Sequence, residues 1–207
     1  MHTADQKLKW HVFVLIALML VLGFAHEWVN PWLRYDREAI EAGQIWRLVS
    51  CHLVHLNQWH MLMNLSGFFM CWFFFTDLLT RKILWLWFCL SSVAVGLAFF
   101  YIDTDLQWYV GLSGILHGFL IMCLIIGWRG NRWLHSIVLT LICARLIWEH
   151  TPGYDVNYLQ SFIKGRVYVN AHLYGSIMGA LIGLGLCLKK LGLCQNKTQK
   201  NKKDISV

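Results

Sequence analysis

The feature that most constrains this chain is the spacing of its charges. Short charged clusters separate six long apolar runs, at about residues 11–25, 58–76, 83–101, 111–128, 133–148 and 170–188. A helix that crosses a bilayer needs roughly 17–25 apolar residues, and with run ends placed to within a few residues each run is a candidate span. A chain of 207 residues has room for these six and short connections. Hydrophobic residues make up 57% of it and charged residues 14%, whereas a soluble domain is usually roughly 45–50% apolar. The expected architecture is an all-α membrane protein: one six-helix domain over residues 1–190, then a basic, disordered tail over 191–207. The first run has the length of a signal peptide, but no small-x-small cleavage site follows it in Gly23-Phe24-Ala25-His26-Glu27, so it reads as a span.

The net charge of +7 could suggest a nucleic-acid partner, but the placement of the cations argues for a membrane instead. With the N-terminus inside, twelve lysines and arginines fall on the cytoplasmic side: Lys7, Lys9, Arg81, Lys82, Arg129, Arg132 and six tail lysines from Lys189 to Lys203. Only Arg34, Arg37, Arg47, Lys164 and Arg166 fall in outer loops. The positive-inside bias puts both termini in the cytoplasm, and Trp46, Trp59, Trp108, Trp128, Trp133 and Trp148 mark the interfaces. The long first outer loop, 27–57, is partly amphipathic and is expected to lie on or dip into the outer leaflet. Seven cysteines without a CxxC pair imply neither a disulfide framework nor a zinc site.

Runs two, four and six all begin on the outer side, and each begins with polar residues. His60 and Asn64 open the second, Gly111-Leu112-Ser113-Gly114 the fourth, with His117 one turn below the serine, and Asn170-Ala171-His172 the sixth. At about 1.5 Å of rise per residue these side chains share one depth. A lone histidine in a span is more often a packing residue, and a lone serine bonds its own backbone. Several at one level are costly inside a bilayer and point to a water-filled site; the competing reading is polar contacts that tie helices together. Gly114 and Gly118, with Gly175, Gly179 and Gly183, form GxxxG spacings that would draw the Ser113 and His172 helices together. A nucleophile with its base needs that closeness, about 2.6–3.2 Å. The backbone N–H of Ser113, in a first helical turn, with Asn64 and His60 as side-chain donors, would stabilise an oxyanion. No acid is evident at this depth to orient His172, so the expected site is a dyad, with no metal and no cofactor.

These residues resemble the rhomboid family of intramembrane serine proteases over most of the chain. Gly111-Leu112-Ser113-Gly114 is similar to the family's GxSG, and Ala171-His172 followed by Gly175 and Gly179 to its AHxxGxxxG. His55, His60 and Asn64 are similar to its HxxxxHxxxN, and Trp46-Arg47 to a structural Trp-Arg of the first loop. The resemblance implies a six-helix rhomboid-like bundle with Ser113 as nucleophile, His172 as base, and His60 and Asn64 on the oxyanion. Gly111, Gly114, His117 and Gly175 would be supporting positions. Where many general rhomboids have a tyrosine four residues after the serine, this chain has His117, and Gly111-Leu-Ser-Gly-Ile-Leu-His-Gly118 resembles the bacterial rhombosortase branch. That branch implies cleavage of secreted proteins anchored by a Gly-Gly motif, one hydrophobic helix and a basic tail. Cleavage would occur near the outer face of the inner membrane of a Gram-negative cell, with the site opening to the periplasm. Water or another amine would resolve the acyl-enzyme. The expected partners are the transmembrane segment of a substrate and the lipid bilayer, not nucleic acid.

Alternatives are a general rhomboid protease of single-span proteins and an inactive relative that binds or escorts. A small transporter is disfavoured by the lack of repeated or charge-lined spans. Arg145 and Glu149 read as a structural ion pair four residues apart, with a role in shaping the substrate path as the alternative. His117 is expected to pack on His172, a direct proton role being the lesser reading. His55 reads as a loop-packing histidine, and His26-Glu27 lacks the second histidine of HExxH. The loop 150–169 is positioned to cap the site.

Overall fold

Each of the six apolar runs is helical, and three of the helices begin at a side-chain cap. The computed structural model describes residues 2–205, with side chains for residues 8–190. The first helix, α1 (His2–Phe24), is followed by short elements of the first loop: α2 (His26–Leu33), β1 (Tyr35–Asp36), α3 (Arg37–Glu41) and α4 (Arg47–Ser50). Then come α5 (Gln58–Phe75), α6 (Arg81–Tyr101), β2 (Trp108–Tyr109), α7 (Ser113–Ile126), α8 (Arg132–Glu149), α9 (Gln160–Ile163) and α10 (Val169–Ile205). Asn57, Thr80 and Asn131 accept the backbone N–H three residues on, at 2.9, 3.3 and 3.1 Å, and so satisfy orphan donors at the starts of α5, α6 and α8. The tail expectation, residues 191–207, lies outside the residues described with side chains.

Among the described residues, two helices are long and apolar enough to cross a membrane, Arg81–Tyr101 and Val169–Lys190. A third qualifies if Leu8–Phe24 and His26–Leu33 count as one span broken by a 104° bend. The runs that fall short do so for identifiable reasons. α7 has only 14 residues because it starts at Ser113; α5 carries Gln58, His60 and Asn64, and α8 carries Arg132, His135, Arg145 and Glu149.

α7 is the axis of the bundle. On one side its Phe119 stacks on Trp87 of α6, with centroids 4.2 Å apart, and on Phe68 of α5 at 5.7 Å. Trp87 Nε1 donates to the Ile115 carbonyl at 3.0 Å, so this large buried indole leaves no unpaired donor. On the other side the closest approach of α7 to α10 is made at glycines. A Cβ on Gly118 would strike the Gly175 carbonyl, one on Gly175 the Gly114 carbonyl, and one on Gly179 the Gly118 carbonyl. Small residues at this spacing let two backbones touch, and such van der Waals contact helps hold helices together where lipid removes the hydrophobic contribution. α1 lies at the periphery and buries Leu8, Val12, Leu15 and Met19, a stripe of helical period.

The first loop is a folded unit tied by two arginines. Arg37 donates to the carbonyls of Phe99, Phe100, Asp103 and Leu106 at 2.8–3.1 Å, capping the C-terminal end of α6 where a cation is favoured. Arg47, only 4% exposed, donates to the carbonyls of Arg34 and Pro31 and to Gln44 Oε1. β1 pairs antiparallel with β2, Tyr35 opposite Tyr109, and so fastens this loop to the strand that leads into Ser113. Trp28, Trp32, Ile45 and Trp46 remain exposed on its surface.

Candidate active site

The strand β2 runs into α7 through Gly111, whose φ of +127° is a conformation that only glycine adopts without strain. Its carbonyl accepts the Tyr109 hydroxyl at 2.9 Å, and its N–H reaches the Cys51 carbonyl at 2.9 Å. Space is a second reason for glycine here, since a Cβ would sit 2.8 Å from His60 Cε1 and 2.9 Å from Nε2. The turn leaves Ser113 as the first residue of α7, where the N–H groups have no carbonyl four residues back within the helix.

The glycine contact between α7 and α10 brings His172 Nε2 to 3.2 Å from Ser113 Oγ. His117, one turn along α7, stacks on the His172 ring with centroids 4.1 Å apart and planes at 22°. Its Nδ1 lies 2.8 Å from the Ser113 carbonyl, so this nitrogen carries the proton and donates. The face of His172 is thereby fixed by an aromatic neighbour.

From α5, His60 and Asn64 face the same space as Ser113 and His172. Leu56 N–H donates to His60 Nδ1 at 3.4 Å, which assigns the ring proton to Nε2, on the side of Gly111. Asn64 Nδ2 donates to the His60 carbonyl at 3.1 Å, and a primary amide has a second N–H to give. Both are therefore donors at one wall. They line a cavity of about 710 Å³ between α5 and α7, whose other walls include Met63, Met70, Phe74, Leu116 and Leu120, with Tyr158, Ile163 and Tyr168 from the segment before α10. Part of the loop before α10 thus forms one side of the cavity, and it is tied back by Asn57 Nδ2 donating to the Phe162 carbonyl at 2.8 Å.

The expectation that no acid stands at the depth of His172 is corrected by the structure. Glu149, the last residue of α8, places Oε2 2.9 Å from His172 Nδ1. Its Oε1 accepts from Arg145 Nε at 2.9 Å, so the anticipated ion pair exists and is also joined to the histidine. Arg145 donates further to the Tyr154 and Tyr158 hydroxyls, and its guanidinium lies over the Trp148, Tyr154 and Tyr158 rings at 5.1–5.5 Å. The i,i+4 spacing with Arg145 hides this second contact, because it already accounts for the charge. A carboxylate in the last turn of α8, the long helix that precedes the histidine helix, was the available signal.

His55 is fully buried beside His60, with ring centroids 5.1 Å apart, and neither of its ring nitrogens has a partner. His52 holds the Ser92 carbonyl at 3.2 Å. Burial pushes the His52 imidazole down to about 4 and, with the nearby His60, holds His55 well below the usual histidine range. Both are uncharged packing rings of the first loop.

A family model described as Rhomboid domain matches residues 42–189, a stretch that holds α4 to α8 and every residue of the cavity wall. No curated protein matches the chain.

Proposed function

The chain belongs to the rhomboid family of intramembrane proteases, and from that premise we propose that it is an active serine endopeptidase with Ser113 as nucleophile and His172 as its base. The observation that carries this reading is the 3.2 Å approach of His172 Nε2 to Ser113 Oγ on the wall of an apolar cavity. Ser113 Oγ attacks the carbonyl carbon of a peptide bond as its proton passes to His172 Nε2. The oxyanion lies against the first N–H groups of α7, Asn64 Nδ2 and His60 Nε2. Collapse breaks the C–N bond, and His172 returns the proton to the departing amine. Water, or an acceptor amine, then attacks the acyl-enzyme by the same route in reverse.

α7 is about 21 Å long at 1.5 Å per residue, against about 30 Å of bilayer hydrocarbon. A helix this short supports a depth for Ser113 below the outer surface. All six apolar runs are read as spans, with both termini cytoplasmic and the cavity open to the periplasm of a Gram-negative cell. The loop 150–168 acts as a cap that a substrate must displace.

His117 in place of a tyrosine supports the rhombosortase-like branch, whose substrates end in a Gly-Gly motif, one membrane helix and a basic tail. The imidazole does the work of a tyrosine ring by stacking on His172. Glycines at the scissile bond suit a substrate helix that must unwind before its carbonyl reaches Ser113.

The test is labelling of the detergent-solubilised protein with a fluorophosphonate serine probe. The native chain is expected to label, and Ser113→Ala and His172→Ala are expected not to. A folded native protein that fails to react, or a Ser113→Ala protein that still labels, overturns the assignment.

A further inference from the structure

Glu149 sits at a position where a carboxylate can govern the state of the base. Its side chain is 1% exposed, and both oxygens are used, Oε2 by His172 Nδ1 at 2.9 Å and Oε1 by Arg145 Nε at 2.9 Å. An unpaired buried carboxylate is strongly disfavoured, and the arginine meets that need from the same helix. Arg145 is itself held by the Tyr154 and Tyr158 hydroxyls, at 2.6 and 2.9 Å. A helix-surface ion pair needs none of this reach toward α10. The second oxygen of Glu149 is turned onto the one side chain that must accept a proton from Ser113.

The consequence follows from imidazole chemistry. A neutral imidazole carries one N–H, on either nitrogen. With Nε2 protonated, His172 would point a hydrogen at Ser113 and could not act as a base. A carboxylate only accepts, so its contact with Nδ1 requires the proton there and leaves the Nε2 lone pair facing Ser113 Oγ. The other groups that face His172 do not supply this. His117 lies flat on the ring with its Nδ1 committed to the Ser113 carbonyl, and His60, from α5, has its Nδ1 taken by the Leu56 N–H. Asp103 holds Asn170 Nδ2 and the Tyr174 hydroxyl through Oδ1, at 3.0 and 2.8 Å, and makes no bond to His172. Among the described residues, Glu149 is the carboxylate in contact with the His172 ring.

We propose that Glu149 is a positioning residue that makes the site a serine–histidine–glutamate relay, and that Arg145 anchors it. Glu149 holds His172 in the tautomer that can take the Ser113 proton, and its charge stabilises the imidazolium formed once that proton has moved. No further oxidant, metal or co-reactant enters; the proton travels from Ser113 Oγ to His172 Nε2 and on to the leaving amine, while Nδ1–H stays with the histidine. The inference rests on the serine–histidine reading above and changes how its base is controlled.

Two measurements test it. In the first, proton NMR of the protein in detergent micelles, in a Ser113→Ala background, looks for the far-downfield Nδ1–H of a carboxylate-bound imidazole. The signal is expected to be present, to vanish in His172→Ala and Glu149→Gln, and to survive in Glu149→Asp. Its absence from the folded Ser113→Ala protein overturns the proposal without any change at Glu149. In the second, fluorophosphonate labelling rates are compared in proteins with equal thermal unfolding. Glu149→Gln is expected to label about 10²–10⁴-fold more slowly, as a wrong tautomer does, and Glu149→Asp to recover most of that loss. Native-rate labelling of Glu149→Gln, with Ser113→Ala silent, sinks the relay and leaves the protease reading intact. The reverse pattern, the downfield proton present and Glu149-dependent in a protein that never labels, supports the relay geometry and removes the protease reading.

Discussion

The two flanks of α7 are built in opposite ways. Toward α10 the backbones touch: Gly114, Gly118, Gly175 and Gly179 face carbonyls and one another, and any Cβ would overlap main chain that cannot move aside. Toward α5 there is a cavity of about 710 Å³, and the small residue on that face, Gly67, has for its nearest neighbour the tip of Leu116, 2.8 Å from where its Cβ would be. The difference matches what the proposed hydrolytic site inside a membrane would require. The serine–histidine contact tolerates little error, since a displacement of 1 Å can cost about 10²-fold in rate. It therefore lies on the flank that cannot shift. In the proposed function a substrate segment, which needs room and a yielding wall, would take the other flank.

The largest effect is expected from breaking the tight flank. In Gly118→Val the new side chain would meet the Gly175 carbonyl and the Gly179 N–H, so α7 and α10 must move apart. Overpacking of this kind typically costs about 1–3 kcal/mol and can cost more where backbone opposes it. Separation also lengthens the 3.2 Å approach of His172 to Ser113. Fluorophosphonate labelling should fall by at least about 10², and thermal unfolding in detergent should move to lower temperature. Native labelling by this variant would show that the glycine seam does not set the catalytic geometry.

A smaller combined effect, on rate but not on stability, is expected from the cavity wall. Asn64→Ala removes an amide that donates to the His60 carbonyl of its own helix and has a second N–H for an oxyanion. Loss of one such donor typically lowers the rate by about 10²–10³. The unfolding temperature should hardly change, because the His60 carbonyl keeps its helical N–H partner. A labelling rate unchanged from native would remove Asn64 from the oxyanion site and leave the α7 N–H groups and His60 to hold the charge.

The same contrast explains what could be read before the structure. The meeting of Ser113 and His172 was legible because each lies beside a glycine spacing that leaves helices few ways to pack, and the helix starts put them at one depth. The stacking partner His117 follows from the same register. Glu149 was not legible. It is 23 residues from His172, it has an i,i+4 partner that fully explains a charge, and helical periodicity does not say which way α8 is rotated against α10. The first loop was only partly legible: its amphipathic character shows in Trp28, Trp32 and Trp46. The role of Arg37, donating to four carbonyls of α6 and the segment that follows, depends on a chain reversal between residues 36 and 106 that no local pattern records. Span counting also strains at α5, α7 and α8. Their polar or shortened stretches are the ones that carry His60 and Asn64, Ser113, and Arg145 with Glu149, so the site itself erodes the signal used to find the helices.

The smallest effect, and the sharpest use of the contrast, is a glycine substitution on the loose flank. Gly67→Ala puts a methyl group 2.8 Å from Leu116 Cδ2, with the next Leu116 atom at 3.8 Å. Leu116 is half-buried and lines the cavity, so its side chain can turn into open space at little cost. Alanine in place of glycine favours a helix interior by about 1 kcal/mol, which offsets the crowding. The variant is expected to unfold within a few degrees of native and to label at close to the native rate. Gly118→Ala, the same chemical change on the other flank, has no side chain to push aside and should lose both stability and labelling. If the two alanine variants behave alike, the flanks are equally yielding, and the rigidity of the serine–histidine contact must come from the His117 stack and the Glu149 bond rather than from the glycine seam.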